Sequence, residues 1–438
     1  MVIHFLIITM YNIEILYPKK KNLNDENLEN FIKRDNELLS IKIEKLIETL
    51  DAISQYWISK NFQHNREFKE NSLGFIIPWL KKSNSKKILN LSFQNYKMLD
   101  EPIKNNENGS YLFARPNGIA LHWMTGNVPV ITLISLFQSI LTKNKNIVKV
   151  SSHYKDLFEA IFNDLTKATI QNKLKNSLKK ILNSILIIYV DHKDRSSLEW
   201  ISKKVDTRLI WGGKEAVSNI ISLPKKITCK DVIFGPKVSL SYISKKKLTN
   251  KKDLKNFTEL FANDVFNFDQ LGCNSPHNLF IEKGTFFSKK TIAHELSKIF
   301  TKKLKDIKNN CDPVSKYDFL NKKFNYDITD DYESISDIGF NWNIFINKNK
   351  IAKTEPPLYN RSIFISGVNS YDDLRNILPE NIQSLGLYVQ QNEKKKIMHC
   401  LSDSGVERFP NIGSMSIYSH PWDGYFPMQS LIRWVSDT

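Results

Sequence analysis

The chain has 438 residues, 41% of them hydrophobic and 11% aromatic, and carries a formal net charge of +17. That length exceeds what one hydrophobic core serves, so two or more packed domains are expected, folding without disulfide or metal staples. No stretch approaches the roughly 18 apolar residues that span a bilayer, so a soluble, cytoplasmic protein without a transmembrane segment is expected. The apolar start, Val2 to Ile8, lacks a basic flank and is short for a secretory core, so it reads as a first strand or helix.

Four cysteines (Cys229, Cys273, Cys311, Cys400) lie far apart, with no CxxC pair and no Cys/His cluster at zinc spacing, so neither a disulfide frame nor a metal site is expected. The positive charge invites a nucleic-acid reading. However, only nine of the 63 basic residues are Arg, and the lysines sit in Asn-rich runs such as Lys19 to Asn22 and Lys245 to Lys247. Readers of phosphates and base edges favour Arg forks, so the charge reads as a solvated surface with some attraction for anionic ligands, and no nucleic-acid partner is expected.

In chain order, residues 1–110 read as helical packing material, with Leu39, Ile43, Leu46, Ile47, Leu50 and Ile53 on one face. From 117 the pattern changes to that of a parallel sheet with crossover helices. Ile119 to His122 reads as a strand, and Asn127-Val128-Pro129 opens a helix with Val130, Leu133, Ile134, Phe137, Ile140 and Leu141 on one face. A polar turn (Lys143 to Asn146), a strand (Ile147 to Val150) and a helix (Tyr154 to Lys167) follow. Next come the strand Ile185 to Val190, a helix through Leu198 and Ile201, the strand Thr207 to Trp211, and the turn Gly212-Gly213 before a helix at Glu215. Four β units with three crossovers predict a doubly wound sheet, with ligands at the carboxyl ends of its strands. No GxGxxG occurs, so the sheet binds either no dinucleotide or one in another manner.

Beyond Pro236 a second α/β domain is expected, with a helix through Leu254, Phe257, Leu260, Phe261 and Val265, the loop Gln270 to Pro276, and a strand Asn278 to Glu282. Ile363 to Ile365 and Leu385 to Val389 read as further strands, and 301–338 as an exposed helix and insertion.

Cys273 lies in a turn among small residues that admit a ligand close to the backbone, as a nucleophilic thiolate requires, although a buried inert thiol is the commoner role of a cysteine. Asn127 stands where a strand gives way to a helix and suits either a helix cap or an amide donor to an oxyanion. Lys149 ends a strand and could meet a ribose or phosphate or simply solvent. Gly212 and Gly213 could form a phosphate turn, because free N–H groups and the helix dipole favour anions there.

Taken together, Leu121 to Pro129, Leu141 to Lys149, Ile210 to Ala216, Phe234 to Lys237, Gly272 to Pro276, Pro421 to Tyr425 and Arg433-Trp434 resemble, in order, the acyl-CoA reductase family of bacterial bioluminescence, a divergent branch of the aldehyde dehydrogenases. The resemblance covers roughly residues 115 to 434 and implies an α/β, aldehyde-dehydrogenase-like fold, a Rossmann-like cofactor domain plus a second α/β catalytic domain. The expected organisation is an N-terminal part at 1–110, an NADP-binding domain at 111–236, a catalytic domain at 237–415 and a returning tail at 416–438.

The resemblance further implies that Cys273 is the nucleophile, and that Asn127 and the Cys273 backbone N–H form the oxyanion hole. It assigns Lys149, with Ser151, to the adenosine ribose or its phosphate, and Gly212 and Gly213 to the pyrophosphate. NADPH-dependent reduction of a fatty acyl-CoA or carrier-bound acyl thioester to the aldehyde is the implied activity, and an acyl-transferring partner enzyme and a homo-oligomer are compatible with it. Hydrolytic aldehyde dehydrogenases carry a Glu where this chain has Ile233. An enzyme that must keep its acyl intermediate from water gains by lacking that base, although Asp231 or a carboxylate from elsewhere could substitute. His277, close to Cys273 in sequence, reads mainly as the start of the outgoing strand. Two rival readings remain: an aldehyde dehydrogenase forming acids, and a non-catalytic basic binding protein.

Overall fold

The computed structural model describes residues 11–18, 25–105, 109–305 and 313–437. Val2 to Ile8, Lys19 to Asn22 and Cys311 lie outside them. The chain divides into two units, one of Met1–Gly235, Ser419–Pro421 and Tyr425–Thr438, the other of Pro236–Tyr418 and Trp422–Gly424. Among the described residues no helix is long and apolar enough to cross a membrane, and no group of His, Cys, Asp and Glu could hold a metal ion.

In the first unit the strands are β1 (Glu14–Tyr17), β2 (Ile103–Lys104), β3 (Tyr111–Pro116), β4 (Ile119–Trp123), β5 (Lys145–Lys149), β6 (Ile185–Tyr189), β7 (Thr207–Trp211) and β8 (Lys230–Phe234). Six form one sheet in the order β1-β6-β5-β4-β7-β8, parallel except for β1, which joins β6 antiparallel. From β4 the chain builds outward through β5 to β6 and then crosses to β7. The topological switch therefore falls between β4 and β7, and a crevice is expected outside their carboxyl ends.

Strand β8 adds a fifth parallel strand to the four β units read from the sequence. Its polar start, Lys230-Asp231, conceals it, because Asp231 faces Arg208 of β7 in a two-pronged ion pair (2.7 Å at both contacts). β1 interrupts the N-terminal stretch read as helical, since four residues are too few to show a period and their pairing with β6 is tertiary. A helix at Asn172–Asn183, absent from the sequence reading, buries Leu174, Leu178, Ile181 and Leu182 between lysines.

The segment Lys143 to Asn146, read as a polar turn, is buried throughout. Lys143 pairs with Asp100 at 2.6 Å, and the Asn144 side chain accepts from the Gly118 N–H and donates to the Leu431 carbonyl. Lys145 donates to the carbonyls of Phe31, Ile32 and Arg34 at the end of the helix Asp25–Lys33, and Asn146 meets buried His122. Each polar group has a partner, which is why burial is tolerated.

The second unit contains β9 (Val238–Ile243), β10 (Pro276–Glu282), β11 (Tyr332–Ser336), β12 (Asn343–Asn347), β13 (Ser362–Val368) and β14 (Ile382–Tyr388). Their order is β11-β12-β13-β10-β9-β14, with only β11 antiparallel. Helices Lys251–Phe266 and Lys289–Leu304 supply Phe257, Phe261, Leu296 and Phe300 to a core with Ile243, Leu279 and Ile344, while Gln391–Leu401 contributes to a second cluster with Leu240, Phe280 and Leu385. β15 (Ile432–Ser436) belongs to the first unit, where it pairs with β3 beside β2.

Candidate active site

Cys273 lies between the helix Lys251–Phe266 and β10, on a connection that turns through three consecutive residues with positive φ: Phe268 at 54°, Asp269 at 57° and Gln270 at 59°. Non-glycine residues enter this region at a cost, so a run of three needs anchors. Gln270 supplies them. Fully buried, it donates to the carbonyls of Pro276 (2.9 Å) and Ser362 (2.8 Å) and accepts from the Ser362 N–H (2.8 Å), tying the loop to the start of β13. Asp269 pairs with Arg361, itself the last of a second left-handed run, Tyr359 to Arg361. Gly272 is required on close approach, because a Cβ there would lie 2.5 Å from Asn274 Oδ1. The Cys273 carbonyl accepts from Ser239 Oγ at 2.7 Å, so the backbone at Cys273 is fixed against β9.

The Cys273 side chain is half-buried, and its Sγ accepts a hydrogen bond from Gln383 Nε2 at 3.2 Å. Surrounding protein and the nearby Asp423 push the thiol up to about 12, and the pull of Gln383 and Arg408 in the other direction does not offset this. Neither Gln383 nor Asp423 stands out in the sequence. Gln383 is a polar residue at an inward-facing strand position, and Asp423 sits in an aromatic, glycine-containing turn, Trp422-Asp423-Gly424-Tyr425, whose Asp-Gly pair is the local signal.

In the first unit, the other site residues gather at the carboxyl ends of neighbouring strands. Trp123 of β4 lies beside Lys149 of β5, and a Cβ on Gly126 would come within 3.2 Å of Ser151 Oγ, so the segments after β4 and β5 touch. Asn127 is exposed and stands two residues before Pro129, the cap position of the helix Val130–Leu141. The Thr125 hydroxyl donates to Asn127 Oδ1 and fixes the orientation of the amide. Lys149 has no ion pair among the described residues, and burial holds its ammonium below the ordinary value despite the influence of Asp191. Ser151 Oγ is buried without a hydrogen-bond partner, an arrangement that calls for a ligand or water.

Past β7, the helix Lys214–Ile221 starts at Gly213 without a side-chain cap. The two glycines differ: a Cβ on Gly212 would lie 3.2 Å from Ala216 Cβ, whereas one on Gly213 would meet nothing within 4 Å. Gly212 thus serves close packing of the helix, and the open space lies at Gly213. Trp211 and Phe234, at the ends of β7 and β8, stack at 3.7 Å beside this turn.

The remaining candidates are engaged elsewhere. Asp231, tied to Arg208 and also to Lys225 at 2.8 Å, lies three residues before the carboxyl end of β8. Ile233 packs against the apolar cluster around Leu121 and Ile210. Cys229 is buried, and Cys400 is held by Arg375 and Asp372. His277 is buried in β10 against Tyr359, and burial pushes its imidazole down to about 3.

The family model described as acyl-CoA reductase (LuxC) matches residues 38–434. A long-chain acyl-protein thioester reductase of Photorhabdus luminescens is 25% identical over 445 residues, covering 94% of this chain and 86% of its own. Among solved structures, aldehyde dehydrogenase 21 from Physcomitrella patens superposes with a TM-score of 0.62 at 9% identity, covering 94% of this chain and 90% of its own. The glyceraldehyde-3-phosphate dehydrogenase GapN of Methanocaldococcus jannaschii, complexed with NADP, gives a TM-score of 0.61 at 14% identity and covers 95% of both chains. The fold is that of the aldehyde dehydrogenases, a Rossmann-like sheet and a second α/β sheet.

Proposed function

Since the chain belongs to the acyl-CoA reductase (LuxC) family, an oxidoreductase family, we propose that it reduces a fatty acyl thioester, carried on coenzyme A or a protein thiol, to the aldehyde through an acyl-enzyme on Cys273, with NADPH as reductant. The observation that carries this reading is the Cys273 loop, a thiol on a strained turn anchored by Gln270, with an amide donor aimed at its sulfur.

In this reading the Cys273 sulfur attacks the thioester carbonyl and the departing thiol leaves an acyl-enzyme. Asn127 Nδ2 and the Cys273 N–H stabilise the oxyanion, a contact typically worth a factor of about 10²–10³. A nicotinamide dinucleotide fits the donors of the first unit: the unpaired Lys149 and the orphaned Ser151 hydroxyl suit the adenosine ribose and its phosphate, and the open turn at Gly213, next to the packed Gly212, suits the pyrophosphate. When bound and reduced, it supplies the hydride to the acyl carbon. Collapse of the resulting thiohemiacetal frees the aldehyde and Cys273. The apolar packing of Ile233 and the ion pairs of Asp231 leave no free carboxylate on β8 to activate water, which favours aldehyde over acid.

The test is NADPH consumption with tetradecanoyl-CoA and with tetradecanoyl carrier protein, with aldehyde detected directly and Cys273→Ala alongside. Aldehyde from the parent alone is expected. Aldehyde from the variant would remove Cys273 from the reaction, and acid in place of aldehyde, with no NADPH consumed, would make the protein a thioester hydrolase.

A further inference from the structure

Burial leaves Cys273 with a proton it does not shed unaided at neutral pH, so acylation needs a base. The usual position holds Ile233, Asp231 is neutralised by Arg208 and Lys225, and His277 is buried beside Tyr359. One carboxylate of the second unit is built into the nucleophile's own surroundings. Gln383, fully buried on β14, uses its two Nε2 hydrogens on two acceptors: Cys273 Sγ at 3.2 Å and Asp423 Oδ1 in a short hydrogen bond. Sulfur and carboxylate therefore share one amide donor and stand within about 6 Å of each other, with the Gln383 Nε2 between them.

The carboxylate is fixed in place. Asp423 (φ 47°) and Gly424 (φ 72°) form a left-handed pair that turns the side chain inward, and Asp423 is 3% exposed. The preceding Trp422, itself buried, is clamped between the Tyr418 ring, stacked at 4.3 Å, and the Arg408 guanidinium, 4.1 Å from the Trp422 ring centroid. The charged and titratable groups facing Asp423 are Lys237, Glu407, Arg408 and the Cys273 thiol. Lys237 is paired with Glu407, and Arg408 directs its donors to Ser384 Oγ at 3.3 Å and the Ile417 carbonyl at 3.0 Å. Among the described residues, none forms an ion pair with Asp423. Burial accordingly pushes this carboxyl up to about 6, close to the working pH that suits a general base.

We propose that Asp423 accepts the Cys273 proton during acylation and passes it to the departing thiolate, with Gln383 positioning both groups. This rests on the acyl-enzyme reading above. As the Sγ–C bond forms, the S–H bond breaks and its proton moves to Asp423. The C–S bond of the thioester then breaks, and the leaving sulfur takes that proton and departs as a neutral thiol, returning Asp423 to carboxylate. After hydride transfer and collapse, the Cys273 thiolate regains a proton from solvent, matching the one proton consumed when a thioester and NADPH give aldehyde, thiol and NADP⁺.

The deciding experiment is alkylation of the full-length protein by iodoacetamide between pH 5 and 10, with label at Cys273 read by peptide mass spectrometry, for the parent and Asp423→Asn. It needs no acyl substrate, so its failure is distinct from failure of the reductase reading, which the aldehyde assay decides. A fixed negative charge would only hold the thiol protonated, so its removal would speed alkylation at pH 7. A proton acceptor predicts the opposite, at least a tenfold slower reaction in Asp423→Asn, and in the parent an inflection near pH 6 that the variant lacks. Faster or unchanged labelling in the variant overturns the proposal. Should the variant not fold, the parent alone decides, because a single alkaline inflection with none near pH 6 also overturns it.

Discussion

Replacing Gln270 by Ala should cost both stability and turnover, by amounts set by its three hydrogen bonds. The side chain is fully buried and bridges Pro276 O, Ser362 O and Ser362 N at 2.8–2.9 Å. Truncation removes the Gln270 donor from two carbonyls, at roughly 1 kcal/mol or more each, leaves the Ser362 N–H with only the Tyr359 carbonyl at 3.0 Å, and opens a void in the loop, so a loss of about 3–5 kcal/mol is expected. In a unit of this size that lowers its melting temperature by roughly 6–20 °C. The turn through Phe268, Asp269 and Gln270 loses its tether at the same time, and the Cys273 thiol loses its fixed position. A misplacement of about 1 Å costs roughly 10²-fold in rate, so kcat should fall far more than KM rises. Calorimetry and steady-state aldehyde formation measure the two effects. A melting temperature within 1–2 °C of the parent, or a change confined to KM, would refute Gln270 as the loop's anchor.

Lys149→Met should weaken NADPH binding by roughly 10- to 100-fold, the worth of a lost charge-assisted hydrogen bond, and leave NADH nearly unchanged. Titration of nicotinamide fluorescence measures this, and equal losses for both cofactors would separate Lys149 from the phosphate. Acid should destabilise the fold below about pH 6.5, because burial pushes His122 down to about 4, and His420 likewise to about 4. Between those limits the unfolded chain binds protons that the native imidazoles refuse, so stability is present above pH 6.5 and lost as the pH falls. By pH 4.5 each buried histidine has cost the fold about 2–3 kcal/mol, and urea titrations of parent and His122→Gln should therefore converge as the pH falls. Parallel curves would contradict the assignment.

What could be read from the sequence followed from local periodicity. Val130, Leu133, Ile134, Phe137, Ile140 and Leu141 predict the helix Val130–Leu141, and the apolar runs at Ile119, Ile185 and Thr207 fall on β4, β6 and β7. The elements missed are those stabilised by distant partners. β8 opens with a charge that Arg208 satisfies, and Lys143 to Asn146 resembles a solvated turn until Asp100, Leu431 and the end of a helix 110 residues upstream supply its partners. Polarity predicts exposure only where a buried partner is absent, and a one-dimensional pattern cannot show that partner.

The same asymmetry governs the site. Cys273, Asn127, Lys149, Gly212 and Gly213 draw attention in the sequence because each lies at the end of a recognisable strand or in a conspicuous turn, and Ser151 enters only through the family resemblance. The groups that set the properties of the Cys273 thiol carry no such signal. Gln270 matters through a left-handed turn and contacts 92 residues away, and Gln383 and Asp423 lie 110 and 150 positions beyond the thiol. A parallel sheet necessarily separates such residues, because each adjacent strand is reached through a crossover of a dozen or more residues. The absence of a base at Ile233 therefore bears only on that position. A carboxylate delivered by a later turn can serve the thiol from another side, and at Asp423, 3% exposed, it can do so where bulk water has little access, separating activation of Cys273 from hydrolysis of what it carries.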